Sequence, residues 1–390
     1  MNAPPILFYI VAGEPSGDLL GGRLMAAMRR QTAGQIVFAG IGGSAMIAEG
    51  LQPLFPMAEL SVMGLAEILP KIPQFYKRIQ QTTSDILERR PAALITIDAP
   101  DFSFRIAKRV KAHGICCIHY VAPSVWAWRP GRAKKIARFL DHLLALLPFE
   151  PPYFEAAGLS CSFVGHSAIE GGAGKGDGNA FRLRHGISPE RKIIIMLPGS
   201  RYGEIQRLLP VFIDTMRLIM AGRGDLTLVV PVRTELAVLV RQAMGQPGLN
   251  GIVIESETEK FDAFAAASAA LAKSGTVTLE LALAGVPSVI AYRINPLTHA
   301  IASRIITGKF AGLPNVILDR FLMPEFLQDD CQPEILAGAL RLLIDDSPER
   351  QAQIDGMAEV QGQISIAGKT PSEAAAEIVL AQSGWASTIS

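Results

Sequence analysis

The chain has 390 residues, of which 49% are hydrophobic and 19% charged, with a formal net charge of +1. That length and apolar share suffice for two domains of ordinary size and exclude a disordered chain. The near-neutral balance, with no long basic run, excludes nucleic acid as the main partner, because phosphate contacts require clustered Lys and Arg.

The predicted elements alternate strand and helix. Met1 to Gly13 has no basic n-region, and no apolar stretch of about 18 residues follows anywhere, so neither a signal peptide nor a membrane span is expected and the chain reads as cytoplasmic. Ile6 to Ala12 is the first strand, and Gly17 to Gln31 the first helix. Between them, Gly13-Glu14-Pro15-Ser16-Gly17-Asp18 makes a turn whose glycines permit close approach of a ligand. Glu14 and Ser16 are therefore candidate substrate contacts, with a helix cap by Ser16 or Asp18 as the alternative.

Ile36 to Gly40 is the next strand. Gly40-Ile41-Gly42-Gly43-Ser44-Ala45 fits G-x-G-x-x-A, with Glu59 near the distance of a ribose-binding acid. It follows the second strand rather than the first, so it is not read as a nicotinamide site. Met57 to Gln80 is rich in Met, Leu, Ile, Phe and Tyr and carries Lys71, Lys77 and Arg78. It is a candidate helical lid for lipid, Met63 included, against ordinary core packing of the helix Pro73 to Arg90.

The strand Ala93 to Ile97 ends in Asp98-Ala99-Pro100-Asp101-Phe102. Asp101 is expected to cap the helix Phe102 to His113, which leaves Asp98 at the strand's carboxyl end with no capping task. A carboxylate there can take a proton from a hydroxyl nucleophile. After the strand Ile115 to Val121 comes a segment with Trp126, Trp128, Arg129 and Arg132. Aromatic faces suit sugar rings or acyl chains, and arginine suits phosphate, with a core tryptophan pair as the alternative. A helix from Pro130 to Phe139 and strands at His142 to Leu147 and Ser162 to Gly165 complete the first half. His119, His142 and His166 read as hydrogen-bonded structural residues.

Gly171 to Gly178 holds five glycines and is the expected linker. Beyond it the alternation restarts with strands at Ile193, Leu226 to Val232, Gly251 to Glu255, Ala269 and Ser288 to Tyr292. Two strand ends stand out. Leu197-Pro198-Gly199-Ser200-Arg201 brings Ser200 and a permanent cation to the first. Ser274-Gly275-Thr276-Val277-Thr278-Leu279-Glu280 opens a helix from Thr276 to Ala284 at the second. Helix N-termini offer N–H groups to a phosphate, and Glu280, one turn in, is placed for ribose hydroxyls. Two ordinary turns with Glu280 on a solvated face are the alternative.

The expectation is thus an α/β chain of two doubly wound Rossmann-like domains facing a cleft, with ligands beyond the strands' carboxyl ends. The boundaries fall at 1–170, 171–345 and 346–390, the last being helices that cross back toward the first domain or serve a homodimer contact. Cys116, Cys117, Cys161 and Cys331 form no C-x-x-C, and H-E-x-x-H is absent, so no metal site and no cofactor are expected. With no D-x-D, a leaving diphosphate would rely on Arg201 and the N–H groups near Gly275 and Thr276 rather than on a carboxylate-held Mg²⁺.

The segments AGEPSGD (Ala12 to Asp18), VMGLAEIL (Val62 to Leu69), IDAPDF (Ile97 to Phe102), HYVAPSVWAWR (His119 to Arg129), LPFEPPYF (Leu147 to Phe154), FVGH (Phe163 to His166), LPGSR (Leu197 to Arg201), SGTVTLE (Ser274 to Glu280) and LPN (Leu313 to Asn315) resemble the lipid-A-disaccharide synthase family, in the same order. The resemblance implies a GT-B fold and a metal-independent, inverting glycosyltransferase. Its substrates would be UDP-2,3-diacylglucosamine and 2,3-diacylglucosamine 1-phosphate, at the inner face of the cytoplasmic membrane of a Gram-negative bacterium, in lipid A and lipopolysaccharide synthesis. It further implies Asp98 as base, Arg201 and Asn315 as residues needed for activity, and Glu280 at the ribose. A UDP-N-acetylglucosamine 2-epimerase and a non-catalytic carrier are the rival readings.

Overall fold

The computed structural model describes residues 5–60, 65–126, 131–245, 249, 251–295 and 308–385. Met63, Trp128 and Arg129 lie outside the described residues. The chain divides into two compact units, one of Met1–Ser167 with Ile364–Ser390, the other of Ala168–Gln363. Both are α/β, with wholly parallel sheets.

In the first unit, β1 (Ile6–Ala12), β2 (Ile36–Ile41), β3 (Gln52–Pro53), β4 (Ala93–Ile97), β5 (Cys116–Tyr120), β6 (His142–Ala145) and β7 (Ser160–Phe163) form one sheet. Its order is β3-β2-β1-β4-β5-β6-β7. The central strands are continuous apolar runs because helices cover both faces, which is how a parallel sheet must be built. One face packs the helix Pro15–Gln31 together with Ala374, Ala375, Ala376, Val379 and Leu380 of the helix Pro371–Gln382. The other face packs Ile79, Ile86, Phe102, Ile106 and Val110 from the helices Leu65–Arg89 and Pro100–Lys111.

The second unit repeats the plan with β8 (Lys192–Leu197), β9 (Leu226–Pro231), β10 (Gly251–Ile254), β11 (Ala269–Lys273), β12 (Ser288–Tyr292) and β13 (Glu325–Leu327), in the order β10-β9-β8-β11-β12-β13. Each sheet reverses its strand order once, between β1 and β4 and between β8 and β11. Registers such as Ala12 with Ile97 and Leu197 with Ala272 bring the ends of those strands level. Such a reversal leaves a crevice beyond the strand ends, the usual ligand position of a doubly wound sheet.

Three local expectations are corrected. The glycine-rich stretch is no loose linker: Ser167–Gly171 and Ala173–Lys175 form short 3-10 turns, and Gly174, Gly176 and Gly178 lie against the backbone of the second unit to which they belong. A methyl on Gly176 would sit 2.0 Å from the Phe261 carbonyl oxygen, and one on Gly178 2.7 Å from that of Ala265. Gly176 therefore serves close approach rather than freedom. Gly176→Ala is expected to destabilise the protein by about 2–4 kcal/mol in urea unfolding, since neither backbone can yield cheaply.

Asp101 does not cap its helix, which begins at Pro100 after Ala99. Asp18 does not cap its own helix either. Its buried carboxylate accepts from the N–H groups of Gly43 (2.7 Å), Ala45 (2.9 Å) and Met46 (3.1 Å). These are the donors that a G-x-G-x-x-A turn would give a pyrophosphate, so an internal carboxylate already fills that turn.

Candidate functional site

The reversal in the second sheet carries a cavity of about 370 Å³. Its lining joins the end of β8 (Gly199, Ser200, Arg201) to that of β11 (Lys273, Gly275, Thr276) and to Glu280. The local backbone explains the opening. Gly199 has φ 132° and Gly275 φ 154°, values that a side chain resists, so each strand turns sharply before its helix starts. The second helix spans Val277–Leu283, one residue inside the expected start, with Thr276 at its N-cap. Among the described residues, no acceptor engages the N–H groups of Gly275, Thr276 and Val277.

Charges in this wall are paired in an order that decides which remains available. Glu204 accepts from the Ser200 N–H at 3.1 Å and meets Lys273 Nζ at 3.1 Å. Burial would raise the Glu204 carboxyl, but Lys273 outweighs it and holds the group below its ordinary value. Lys260 bridges Glu257 at 2.6 Å and Glu280 at 3.1 Å. Burial disfavours the Lys260 charge, and the Coulomb field of Glu280 with the Glu257 contact more than restores it. Arg201 differs. Its nearest carboxylate contact is 3.7 Å from Glu204, and its side chain is 70% exposed. It is more loosely held than Arg233, which lines the same cavity and meets Glu235 at 3.4 Å, and with the unengaged N–H groups it makes a donor set suited to a diphosphate. Glu204, Lys260 and Lys273 went unnoticed in the sequence because their pairing is tertiary.

Glu280 points into the same cavity, already braced by Lys260. Ser274 and Asn315 are placed differently from expectation. The Ser274 hydroxyl donates to the Ala311 carbonyl at 2.6 Å. Asn315 is fully buried. Its amide donates to Met323 O (2.8 Å) and Glu325 Oε1 (2.7 Å), while its oxygen accepts from the N–H groups of Leu322 and Met323 (both 2.8 Å). Two donors and two acceptor sites are thus consumed by the protein, leaving none for substrate. Glu325 in turn accepts from Ala311 N (2.7 Å) and Gly312 N (2.8 Å). A chain of hydrogen bonds thus links Asn315 through Glu325 and the 311–312 backbone to Ser274.

The first sheet's reversal places Gly13 against Ala99: a methyl on Gly13 would lie 2.7 Å from Ala99 Cβ. Glu14 and Ser16 are exposed, and neither caps the helix that starts at Pro15. Asp98 and Ala99 both sit in left-handed backbone, φ 48° and 45°, and Val121 at the end of β5 has φ 80°. Three such residues at adjacent strand ends cost of order 1–3 kcal/mol each, a strain that collects at functional sites. The Asp98 N–H donates to Tyr120 O at 3.0 Å, and the Ser103 hydroxyl to Asp98 O at 2.9 Å. Among the described residues no hydrogen bond or ion pair engages the Asp98 carboxylate. Trp126 is half-buried, its indole N–H donating to Glu150 at 3.3 Å.

In the expected lid, Phe75 is partly buried against the core, edge-on to Phe102 at 5.5 Å, whereas Tyr76 is exposed and paired with Arg105. His119 is buried with Nδ1 2.7 Å from Thr96 Oγ1, and burial pushes its pKa down to about 3. His166 falls to about 4 for the same reason. Neither imidazole titrates near neutrality, which suits a structural role. Among the described residues no helix is long and apolar enough to cross a membrane.

The family model for lipid-A-disaccharide synthetase matches residues 8–379. The lipid-A-disaccharide synthase of Rhodospirillum centenum is 53% identical over 378 residues, covering 96% of this chain and 94% of its own. That of Paramagnetospirillum magneticum is 50% identical, covering 96% and 97%. Solved structures share the fold at low identity. A Staphylococcus aureus MnaA–UDP co-structure aligns with TM-score 0.66 at 13% identity, over 99% of this chain and 98% of that one. Acinetobacter baumannii MurG aligns with TM-score 0.59 at 13%, over 97% and 100%. The two Rossmann-like units are those of a GT-B fold.

Proposed function

Because this chain belongs to the lipid-A-disaccharide synthetase family, we propose that it joins its two acylated sugars by a single displacement in which Asp98 is the base. The reaction condenses UDP-2,3-diacylglucosamine with 2,3-diacylglucosamine 1-phosphate, giving the β-1′,6-linked disaccharide 1-phosphate and UDP. Asp98 accepts the proton of the acceptor 6-hydroxyl as that oxygen attacks the anomeric carbon. The bond to the UDP oxygen breaks, inverting the centre. Arg201, with the N–H groups of Gly275 and Thr276, takes up the charge that develops on the diphosphate. Glu280, braced by Lys260, holds the ribose, and Ser200 lies beside the diphosphate. Glu14, Ser16 and Trp126 serve the acceptor side, together with Met63, Trp128 and Arg129.

The observation that carries this reading is the unengaged Asp98 carboxylate on a left-handed backbone at a strand end. Among the described residues nothing pairs with that carboxylate, which leaves it available to the proton of a substrate hydroxyl. An anionic substrate pair with acyl chains also favours peripheral contact with the inner face of the cytoplasmic membrane.

The test is to incubate the protein with both acylated substrates in the presence of EDTA and look for a tetraacyl disaccharide phosphate by mass spectrometry. Product is expected, which supports the chemistry and its independence from metal together. Conversion of non-acylated UDP-N-acetylglucosamine to its 2-epimer instead would overturn the reading in favour of the epimerase.

A further inference from the structure

Behind the acceptor-side segment lies a carboxylate that the mechanism leaves unused. Glu150 is 3% exposed. Its Oε1 accepts from the Trp126 indole N–H at 3.3 Å and its Oε2 from the Leu147 N–H at 3.1 Å, and the Leu146 N–H bonds it as well. Phe149 packs edge-on against Trp126 with ring centroids 5.3 Å apart. A carboxylate is buried at a cost of several kcal/mol unless donors meet it, so one that is buried and supplied with three donors is a built feature. The segment it holds starts at Val121, whose φ of 80° is a genuine outlier for a β-branched residue. The residue before it, Tyr120, receives the Asp98 N–H.

We propose that Glu150 is a positioning residue for the transferase: by clasping the Trp126 indole it fixes residues 121–126, and through Tyr120 it fixes the backbone on which Asp98 stands. This rests on the transferase reading above. Glu150 touches no substrate and acts through Trp126. The clasp has a further property. Burial pushes the Glu150 carboxyl up to about 7, against the Leu147, Trp126 and Leu146 donors that draw it down. Among the described residues, Cys161 on β7 is the titratable group that feels its charge, and burial pushes that thiol up to about 12, so it stays neutral. Ionised, Glu150 accepts all three N–H groups. Protonated, one oxygen becomes a donor and part of the clasp is lost.

The test compares the full chain with its Glu150→Gln and Trp126→Phe variants. Kinetics are measured against each substrate in turn, and tryptophan emission is followed as pH falls through about 7. Glutamine has one acceptor oxygen for three donors, and phenylalanine keeps the ring but drops the N–H. For each variant, kcat/KM for the acceptor is expected to fall about 10–100-fold, since displacements of about 1 Å cost that much, while the donor KM stays within about twofold. The emission change of the parent protein is expected to vanish in both. Acceptor kcat/KM within about twofold of the parent in either variant, or an emission profile unaltered by both, overturns the role of Glu150. A donor KM that rises together with the loss of turnover means general damage and overturns it too. A parent protein that makes no disaccharide overturns the transferase reading itself, an outcome seen before any variant is measured.

Discussion

An Asp98→Asn variant is expected to bind UDP-sugar as the parent does and to turn over at least about 10³-fold more slowly, the scale of a lost general base. Asparagine is the informative substitution for a reason rooted in the backbone. Asp98 has φ 48° and is followed by Ala99 at φ 45°, and Asp and Asn tolerate that region where other side chains resist it. Asp98→Ala removes the carboxylate but also adds backbone strain, so its loss of activity mixes chemistry with local structure. Asn keeps the shape and the left-handed tolerance, and lacks only the proton acceptor. The measurement is kcat beside UDP affinity from titration calorimetry. Turnover within about tenfold of the parent would remove Asp98 from the base's role.

Asn315→Ala is expected to destabilise the protein by about 3–5 kcal/mol and to cost activity through the donor side alone. The truncation leaves the N–H groups of Leu322 and Met323 without their acceptor and takes one donor from the buried end of Glu325. Glu325 then holds the 311–312 backbone less firmly, and the Ser274 hydroxyl loses its fixed partner at Ala311. Asn315→Asp isolates the electrostatic part. It is nearly isosteric but sets a second carboxylate against Glu325 and an acceptor against Met323 O. Urea unfolding and donor KM are the readouts. A variant of unaltered stability whose donor KM alone rises would instead mean that Asn315 reaches the substrate.

Much of the architecture was legible because central parallel strands must be apolar along their whole length. Ile6–Ala12, Ala93–Ile97 and Ser288–Tyr292 read from composition with the bounds the structure gives them. Two of the edge strands did not. Gln52–Pro53 is two exposed residues and Glu325–Leu327 opens on a carboxylate, so neither shows an apolar run. Asp98, Arg201 and Glu280 were visible because each follows a strand closely, and the carboxyl ends of strands are where such sheets bind. Lys260 lies in mid-helix, and Lys273 gains meaning only from Glu204, about seventy residues earlier in the chain. Asn315 was visible as a motif, but its amide could not be known to be saturated until its four partners were placed. The glycines from 171 to 178 show the same limit. Glycine serves both loose connections and backbone contact, and only the carbonyls of Phe261 and Ala265 decide between them.

The course of the chain also sets an order of events during synthesis. The first unit's core contains Ala374, Ala375, Ala376 and Val379, packed with strands made more than about 200 residues earlier. The second unit is a single uninterrupted segment and can close as soon as it leaves the ribosome. The half begun first is thus the last to be completed. For most of translation its helix Pro15–Gln31 and the strand beside it present an apolar face with no cover. Nascent chains stopped before Pro371 are the species a holdase would meet, and a premature stop in that final stretch would damage the first unit while sparing the second.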